Sequence, residues 1–258
     1  MRRNCLLRET AAHGGLWNDM DVKALQDLEA VSHEAAEVFT AASNDHITLK
    51  GRFAAAISGG STPGRFFTLL GSDRYIAKIN WRCVHIFWAD ERCVPKEHKE
   101  SNFRVAFETF ISKVPLPIHN IHRIKGEKEP EDAAREYEND IRDFFGDTAL
   151  PVFDLIILGV GKDGHAASLF PGLGALQERI RLAVPVYTYK GNRVTLTLPV
   201  LNNAAQILFL AAGFSKAEIL HEILEGENRK AYPAGLIAPV SGSVMWLIDT
   251  KAAGKLKK

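Results

Sequence analysis

A short segment near the middle of the chain carries the residues best suited to acid–base chemistry. In it, Asp163 and His165 flank Gly164 shortly after the apolar run at residues 154–158. A carboxylate two residues from a histidine can orient or polarise the imidazole, and histidine is a competent proton acceptor at neutral pH. A lone histidine more often makes a structural hydrogen bond, but His and Asp together at the end of a strand favour general acid–base chemistry.

The same segment contains a literal G-x-G-x-x-G pattern at residues 159–164, which by itself is typical of dinucleotide-binding folds. Two features argue against that interpretation. Residues 181–190 include no acidic residue to hold a ribose, and the motif lies mid-chain rather than in an initial βαβ unit. A nicotinamide-dependent oxidoreductase is therefore the least favoured function.

Residues 58–62, Ser-Gly-Gly-Ser-Thr, combine glycines and hydroxyls just before a predicted helix. Glycines let the backbone approach a ligand closely, and the free N–H groups at a helix start suit a phosphate. The alternative is an ordinary glycine turn in which Thr62 caps the helix. Arg193 and Lys216 can add positive charge for a phosphate dianion, or they can be solvated surface charges.

Another polar segment follows the apolar run at residues 84–88. Its Arg92 is a candidate donor to a carbonyl oxygen that gains negative charge, a role that backbone N–H groups of the glycine loops can also fill. Asp90 is either a ligand contact or a structural cap. His119 and His122 stand three apart without a carboxylate in a metal-binding pattern, so a structural role is favoured and no metal site is predicted.

These polar segments belong to a chain that alternates strands and helices. Short apolar runs predict strands at residues 53–57, 84–88, 154–158, 206–211 and 244–248. Helical spacing and caps predict helices at residues 21–42 (capped by Asn18 and Asp19), 101–110, 130–145 and 215–224, and another helix that starts at residue 61. This alternation is typical of an α/β fold: one open, mostly parallel sheet with helices on both faces, in the Rossmann-like manner. Ligands bind beyond the carboxyl ends of such strands, so the polar loops are expected to share one site. Surplus apolar runs at residues 182–187 and 193–198 predict a local departure from strict alternation.

Composition restricts the partners and the compartment. Lys and Arg total 32 against 31 Asp and Glu, so a net charge of +1 gives no overall field that would attract nucleic acid or an anionic membrane. The three cysteines form no C-x-x-C pair, which fits a reducing compartment, and no run approaches the ~20 apolar residues of a membrane span. The N-terminus lacks the apolar core of a secretory signal. We therefore expect one cytoplasmic α/β domain over residues 1–258, with 46% hydrophobic residues to build its core.

Three motifs resemble those of the 6-phosphogluconolactonase family. They are Ser-Gly-Gly-Ser-Thr-Pro at residues 58–63, Asp-Glu-Arg-Cys-Val-Pro at 90–95 followed by Ser-Asn at 101–102, and the highly specific Gly-Val-Gly-Lys-Asp-Gly-His-Ala-Ala-Ser-Leu-Phe-Pro-Gly at 159–172. The resemblance extends over residues 21–249. Glucosamine-6-phosphate deaminases of the same superfamily are similar in the G-x-G-x-D-G-H pattern but carry an acidic residue before Pro-Gly, where this chain has Phe170. Residues 189–192 lack the prolines that often stand there in lactonases.

The resemblance implies hydrolysis of 6-phospho-D-glucono-1,5-lactone to 6-phospho-D-gluconate, in the oxidative pentose phosphate pathway, without cofactor or metal. We expect His165 to act as general base and then as general acid. Asp163 either orients His165 or acts on a backbone group that shapes the loop, and the third catalytic residue, Arg92, or backbone N–H groups stabilise the oxyanion. The implied substrate-binding residues are Ser58, Gly59, Gly60, Ser61, Thr62, Asp90, Gly161, Arg193 and Lys216. The expected partner is the small-molecule phosphorylated sugar lactone, with no nucleic acid or membrane, and the expected state is a monomer or small homo-oligomer. The alternatives are an amino-sugar-phosphate deaminase or isomerase on the same fold, and a sugar-phosphate sensor without turnover.

Overall fold

The computed structural model describes residues 20–146 and 148–257. The predicted cap at Asn18 and Asp19 and the cysteine at Cys5 lie outside these ranges. In chain order the strands are β1 (Met20–Leu25), β2 (Phe53–Ile57), β3 (Val84–Trp88), β4 (Asp90–Arg92), β5 (Ile121–His122), β6 (Leu155–Gly159), β7 (Ala183–Val186), β8 (Arg193–Leu196), β9 (Gln206–Ala211) and β10 (Ser243–Asp249). The helices are α1 (Leu28–Lys50), α2 (Ser61–Leu70), α3 (Asp73–Ile76), α4 (Asn102–Thr109), α5 (Pro130–Phe145), α6 (Leu198–Leu201) and α7 (Ala217–Leu224).

Seven strands form one sheet in the order β1-β10-β9-β6-β2-β3-β5, and each neighbouring pair runs parallel. All five residues of β2, which lies between β6 and β3 inside the sheet, are buried. Both faces must therefore be covered, which is why the strands are continuous apolar runs rather than alternating ones. The predicted open, mostly parallel α/β sheet is confirmed.

Helices cover the two faces through aromatic contacts. On one face, Phe39 of α1 meets Phe53 of β2 with ring centroids 5.3 Å apart. On the other face, Phe145 of α5 lies 5.9 Å from Phe87 of β3 and 4.9 Å from Phe153. Phe53 pairs with Val84 in the strand register, so it points to the opposite side of the sheet from Phe87. Among the described residues, no helix combines the length and the apolar character that crossing a membrane requires.

The first element differs from its prediction. Helical spacing predicts one helix over residues 21–42, but residues 20–25 form β1, and α1 starts only at Leu28. The N-cap is Asp27, whose carboxylate accepts a hydrogen bond from the N–H of Ala30 at 2.9 Å. Backbone pairing of β1 with β10 explains the difference, because it satisfies a whole row of N–H and C=O groups at the sheet edge.

A small second sheet departs from the parallel pattern, as the surplus apolar runs predict. It has the order β4-β8-β7, and both of its strand pairs are antiparallel. Residues 90–92 read as a polar loop in the sequence, but they form the edge strand β4. Three residues are too few to show a strand period, and their pairing with β8 comes from more than 100 residues further along the chain.

Candidate active site

A cleft of about 270 Å³ lies at the carboxyl edge of the parallel sheet, where the polar loops meet. Most of the predicted site residues line it: Ser58, Gly59, Gly60, Thr62, Asp90, Arg92, Gly161, His165, Arg193 and Lys216. The residue after Gly164 and the turn at Gly60 therefore open into the same cavity. Asp163 stands behind the cleft wall and reaches it through His165, while Ser61 contributes the first residue of α2.

His165 and Asp163 form a close pair. Asp163 Oδ1 lies 2.5 Å from His165 Nδ1, and it also accepts a hydrogen bond from the backbone N–H of His165 at 3.3 Å. Burial would raise the pKa of Asp163, but the charge and hydrogen bonds of His165 outweigh that effect and lower it. Asp163 is therefore ionised at neutral pH and holds Nδ1 as the protonated nitrogen, which leaves the lone pair on Nε2. An imidazole held in this tautomer can accept a proton from water.

Two glycines give the histidine loop its shape. A Cβ at Gly161 would lie 2.1 Å from His165 Nδ1, so only glycine leaves room for the histidine–aspartate pair. Gly164 has φ +78°, a left-handed conformation that favours glycine, and a Cβ there would lie 2.6 Å from the ring of Tyr232. The carbonyl of Gly164 also accepts a hydrogen bond from Ala234 at 2.9 Å. The loop is thus fixed from both sides.

Arg92 and Arg193 are cross-strand neighbours in the small sheet. Like charges opposite each other in an antiparallel pair repel. Burial lowers the pKa of Arg193, Asp90 raises it, and the charge of Arg92 lowers it further. The Nε atoms of both arginines are buried, and no acceptor among residues 20–146 and 148–257 bonds to either. Arg92 Nη1 donates to the carbonyl of Glu100 at 2.5 Å. Two half-buried guanidinium groups, each with an unused Nε donor, suit an anion.

The turn at residues 58–60 forms the adjacent wall. Gly60 has φ +121° and is the N-cap of α2, so it delivers the chain into the helix with its first N–H groups free of intrahelical partners. Thr62, the alternative cap, lies inside the helix instead. The hydroxyl of Ser58 is buried, and within the described chain it has no hydrogen-bond partner. This wall offers donors and a helix N-terminus to an anionic group.

Lys216 precedes α7 and reaches across to the histidine loop. Its Nζ donates to the carbonyl of Val160 at 2.7 Å. Burial lowers the pKa of Lys216, and nearby Lys162 lowers it further while Asp163 raises it. Lys162, which the sequence analysis did not assign to the site, also lines the cleft. The two lysines bring a second concentration of positive charge beside His165.

Asp90 is buried in the wall of the cleft and has a structural partner there. Its Oδ2 accepts a hydrogen bond from Ser168 Oγ at 2.6 Å. Ser168 in turn donates its N–H to Thr195 Oγ1 at 3.2 Å. The preceding residue, Ala167, lines the cleft with φ +50°, which is uncommon for a residue with a Cβ. Asp90 is therefore structurally held, with one carboxylate oxygen tied to the histidine loop.

Several residues that line the cleft are absent from the predicted site: Pro63, Asn102, Gly159, Val160, Lys162, Ala167 and Leu210. Five of them lie inside the motifs at residues 58–63 and 159–172, so proximity to Gly60 and Gly161 is the available signal. Asn102 belongs to the Ser-Asn pair that follows the motif at residues 90–95, and it also stands at a predicted helix start. Leu210 is an ordinary strand residue, and only the fold brings it to the cleft.

Neither His119 nor His122, for which a structural role is predicted, lines the cleft. His122 Nδ1 lies 3.0 Å from Asp140 Oδ1, so it does have a carboxylate neighbour, and its Nε2 lies 3.2 Å from His85 Nδ1. His85, His122 and Asp140 do not line the cleft. Across the described ranges, no three His, Cys, Asp or Glu side chains are arranged to hold a metal ion.

Comparison with known proteins gives a consistent picture. Residues 26–246 match the family described as glucosamine-6-phosphate isomerases/6-phosphogluconolactonase. A 6-phosphogluconolactonase of Nostoc sp. is 34% identical over 91% of this chain and 98% of its own length, and one of Rattus norvegicus is 39% identical over 79% and 80%. The crystal structure of a 6-phosphogluconolactonase from Thermotoga maritima superposes with a TM-score of 0.77 and 29% identity, covering 90% of this chain and all of that one.

Proposed function

Because this chain belongs to the glucosamine-6-phosphate isomerase/6-phosphogluconolactonase family, we propose that it hydrolyses 6-phospho-D-glucono-1,5-lactone to 6-phospho-D-gluconate. The observation that carries the proposal is the content of one cleft. It holds an imidazole oriented by a carboxylate together with two arginines that have unused Nε donors. The first suits ester hydrolysis and the second suits a phosphate.

His165 acts as the general base and then the general acid. Its Nε2 takes a proton from water as the water oxygen bonds to the lactone carbonyl carbon. When the bond from that carbon to the ring oxygen breaks, the imidazolium returns its proton to the departing oxygen, and the ring opens to an acid. Such assistance accelerates reactions by about 10²–10⁴-fold. Asp163 keeps Nδ1 protonated and stabilises the imidazolium between the two transfers.

Arg92 is the candidate donor to the carbonyl oxygen during attack, as the sequence suggests, with backbone N–H groups of the glycine loops as the other candidates. Its position opposite Arg193 also suits phosphate binding. Steady-state kinetics of Arg92→Ala separate the two roles. A fall in kcat supports the oxyanion role, whereas a rise in KM with kcat retained assigns Arg92 to the phosphate.

The turn at residues 58–62, Arg193 and Lys216 hold the phosphate, and Asp90 and Gly161 contact the sugar. The reaction transfers protons and breaks an ester bond, so it requires neither redox chemistry nor a Lewis acid, and we propose no cofactor. We further propose a single cytoplasmic domain, working as a monomer or small homo-oligomer on a small-molecule substrate alone.

The test is the rate of acid release from freshly generated 6-phosphogluconolactone, with the uncatalysed rate subtracted. His165→Ala should lose about 10²–10⁴-fold in kcat with little change in phosphate affinity, and Arg193→Ala should raise KM first. His119→Ala, an exposed histidine outside the cleft, and Arg135→Ala serve as matched controls. The reverse pattern in the first two variants would overturn the assignment of roles.

Two rival functions have direct tests. Ammonia release from glucosamine 6-phosphate would establish a deaminase, although Phe170 packs with its ring centroid 4.5 Å from that of His165 where a deaminase needs an acid. Tight binding of the phosphorylated sugar acid without any lactone turnover would establish a sensor.

A further inference from the structure

Asn102, the first residue of α4, connects two walls of the cleft. Its side chain is only 3% exposed, and its Nδ2 donates to the carbonyl of Asp90 at 2.9 Å. The opposite atom of the same amide lies against the turn at residues 58–60: a Cβ at Gly59 would be 1.9 Å from Asn102 Oδ1. One amide group is thus wedged between the start of β4 and the proposed phosphate turn.

The backbone of Asn102 is itself fixed from behind. The buried carboxylate of Glu91 accepts hydrogen bonds from the N–H groups of Arg92 and Asn102, both at 2.7 Å, through Oε1. Through Oε2 it accepts from the N–H of Phe103 at 2.8 Å and from the hydroxyl of Ser101 at 3.0 Å. Burial raises the pKa of Glu91 and these donors oppose the rise. The four bonds hold Arg92 and the start of α4 to one group.

Capping does not account for the Asn102 side chain. The N-cap of α4 is Ser101, whose hydroxyl accepts from the N–H of Arg104 at 3.1 Å. The side-chain amide of Asn102 is therefore not needed as a cap. Its Nδ2 donates to the carbonyl of Asp90, and its Oδ1 lies next to Gly59. Buried amides that bridge separate segments fix the relative position of those segments.

We propose that Asn102 is a positioning residue that sets the phosphate turn at residues 58–60 against Asp90 and Arg92. This inference rests on the proposed function and adds to it the residue that holds the two halves of the phosphate side together. Asn102 acts through the backbone of Gly59 and Asp90. Its loss loosens the fit to the phosphate group and leaves the histidine–aspartate pair intact.

The experiment compares two lactones that differ only in the phosphate. For Asn102→Ala, KM for the phosphorylated lactone should rise about tenfold, the typical effect of one buried hydrogen bond, while kcat/KM for unphosphorylated glucono-1,5-lactone should stay within about twofold of wild type. The matched control is Asn120→Ala. Asn120 is another buried asparagine whose Nδ2 donates to backbone carbonyls, those of Arg82 and Val84, but it lies outside the cleft.

Asn120→Ala should lower the free energy of unfolding without changing the ratio of kcat/KM values for the two lactones. An equal loss of both activities in Asn102→Ala would overturn the proposal, because a merely structural role lowers both together. If Asn102→Ala does not fold, Asn102→Asp keeps the shape and sets a carboxylate against the phosphate turn. It should raise KM for the phosphorylated lactone by more than tenfold, and an unchanged KM would equally overturn the proposal.

A direct binding measurement separates this inference from the proposed function. The Kd of inorganic phosphate should be about tenfold weaker in Asn102→Ala than in wild type, whether or not the enzyme opens lactones. Unchanged phosphate affinity contradicts the positioning role. A wild-type protein that binds phosphate but hydrolyses neither lactone contradicts the proposed function alone.

Discussion

Replacing Gly161 with alanine should remove catalysis while leaving phosphate binding in place. The new Cβ would lie 2.1 Å from His165 Nδ1 and 2.5 Å from Asp163 Oδ1. Both atoms are at the ends of side chains, so the two side chains can rotate away without moving the backbone. To regain ordinary contact near 3.4 Å, the imidazole must retreat by roughly 1.3 Å. That movement breaks the 2.5 Å contact between Asp163 Oδ1 and His165 Nδ1.

The expected loss follows from that displacement. A misplacement of about 1 Å costs about 10²-fold in rate, and loss of the general base costs about 10²–10⁴-fold. We therefore expect kcat on fresh 6-phosphogluconolactone to fall by at least about 10²-fold, with the Kd of inorganic phosphate unchanged. Acid release measures the first quantity and calorimetric titration the second.

The control for this variant is Gly174→Ala, because a Cβ at Gly174 meets no atom within 4 Å and its φ is ordinary. Circular dichroism establishes that both variants are folded. A folded Gly161→Ala protein that keeps kcat within about threefold of wild type would refute the reasoning, since the base would then work without its orienting partner.

Three further outcomes are expected. Tyr137→Phe should lower the free energy of unfolding by about 2–4 kcal/mol in denaturant titrations, because the hydroxyl of Tyr137 accepts from the N–H of Trp88 at 2.9 Å and donates to its carbonyl at 2.6 Å in a buried site; an unchanged midpoint contradicts this. Burial and then His122 lower the pKa of His85 from 6.5 to about 4, so between those pH values only the unfolded chain takes up this proton. The free energy of unfolding should therefore fall as the pH drops from 6.5 to 4, and His85→Gln should make this fall less steep. Parallel curves of unfolding free energy against pH for the two proteins would refute this. Inorganic phosphate should raise the Tm of wild type by more than that of Arg193→Ala, because it relieves the repulsion between arginines, and equal shifts would remove Arg193 from the anion site.

Much of the fold can be predicted from apolar runs. β2, β3, β6, β9 and β10 are continuous and buried, so their burial on both faces is visible in the sequence itself. β1 is different, because it is an edge strand whose residues Val22 and Leu25 also fit a helical period, and its pairing with β10 depends on residues more than 200 positions away. β5 has two residues and β4 has three, which is too short for any periodicity to appear.

The site shows the same division between local and distant information. The pairing of Asp163 with His165 is predictable, since two residues around a glycine are bound to be neighbours. The opposition of Arg92 and Arg193 is not, because it depends on the antiparallel register of two short strands. The contact of Asn102 with Gly59 likewise needs the packing of α4 on the turn. Sequence motifs therefore indicate which residues gather, and the fold determines which of them touch.

The base and the arginines belong to different sheets. His165 follows β6 of the parallel sheet, whereas Arg92 and Arg193 lie on the small antiparallel one. Ala89, between β3 and β4, joins the two sheets, because its N–H donates to the carbonyl of Ile57 and its carbonyl accepts from the N–H of Leu196. A ligand that reaches from a guanidinium to the imidazole contacts both sheets, and a shorter ligand contacts either the arginines or the base alone. The length of a ligand, as well as its charge, therefore helps to determine which phosphorylated sugars are substrates of the proposed hydrolase.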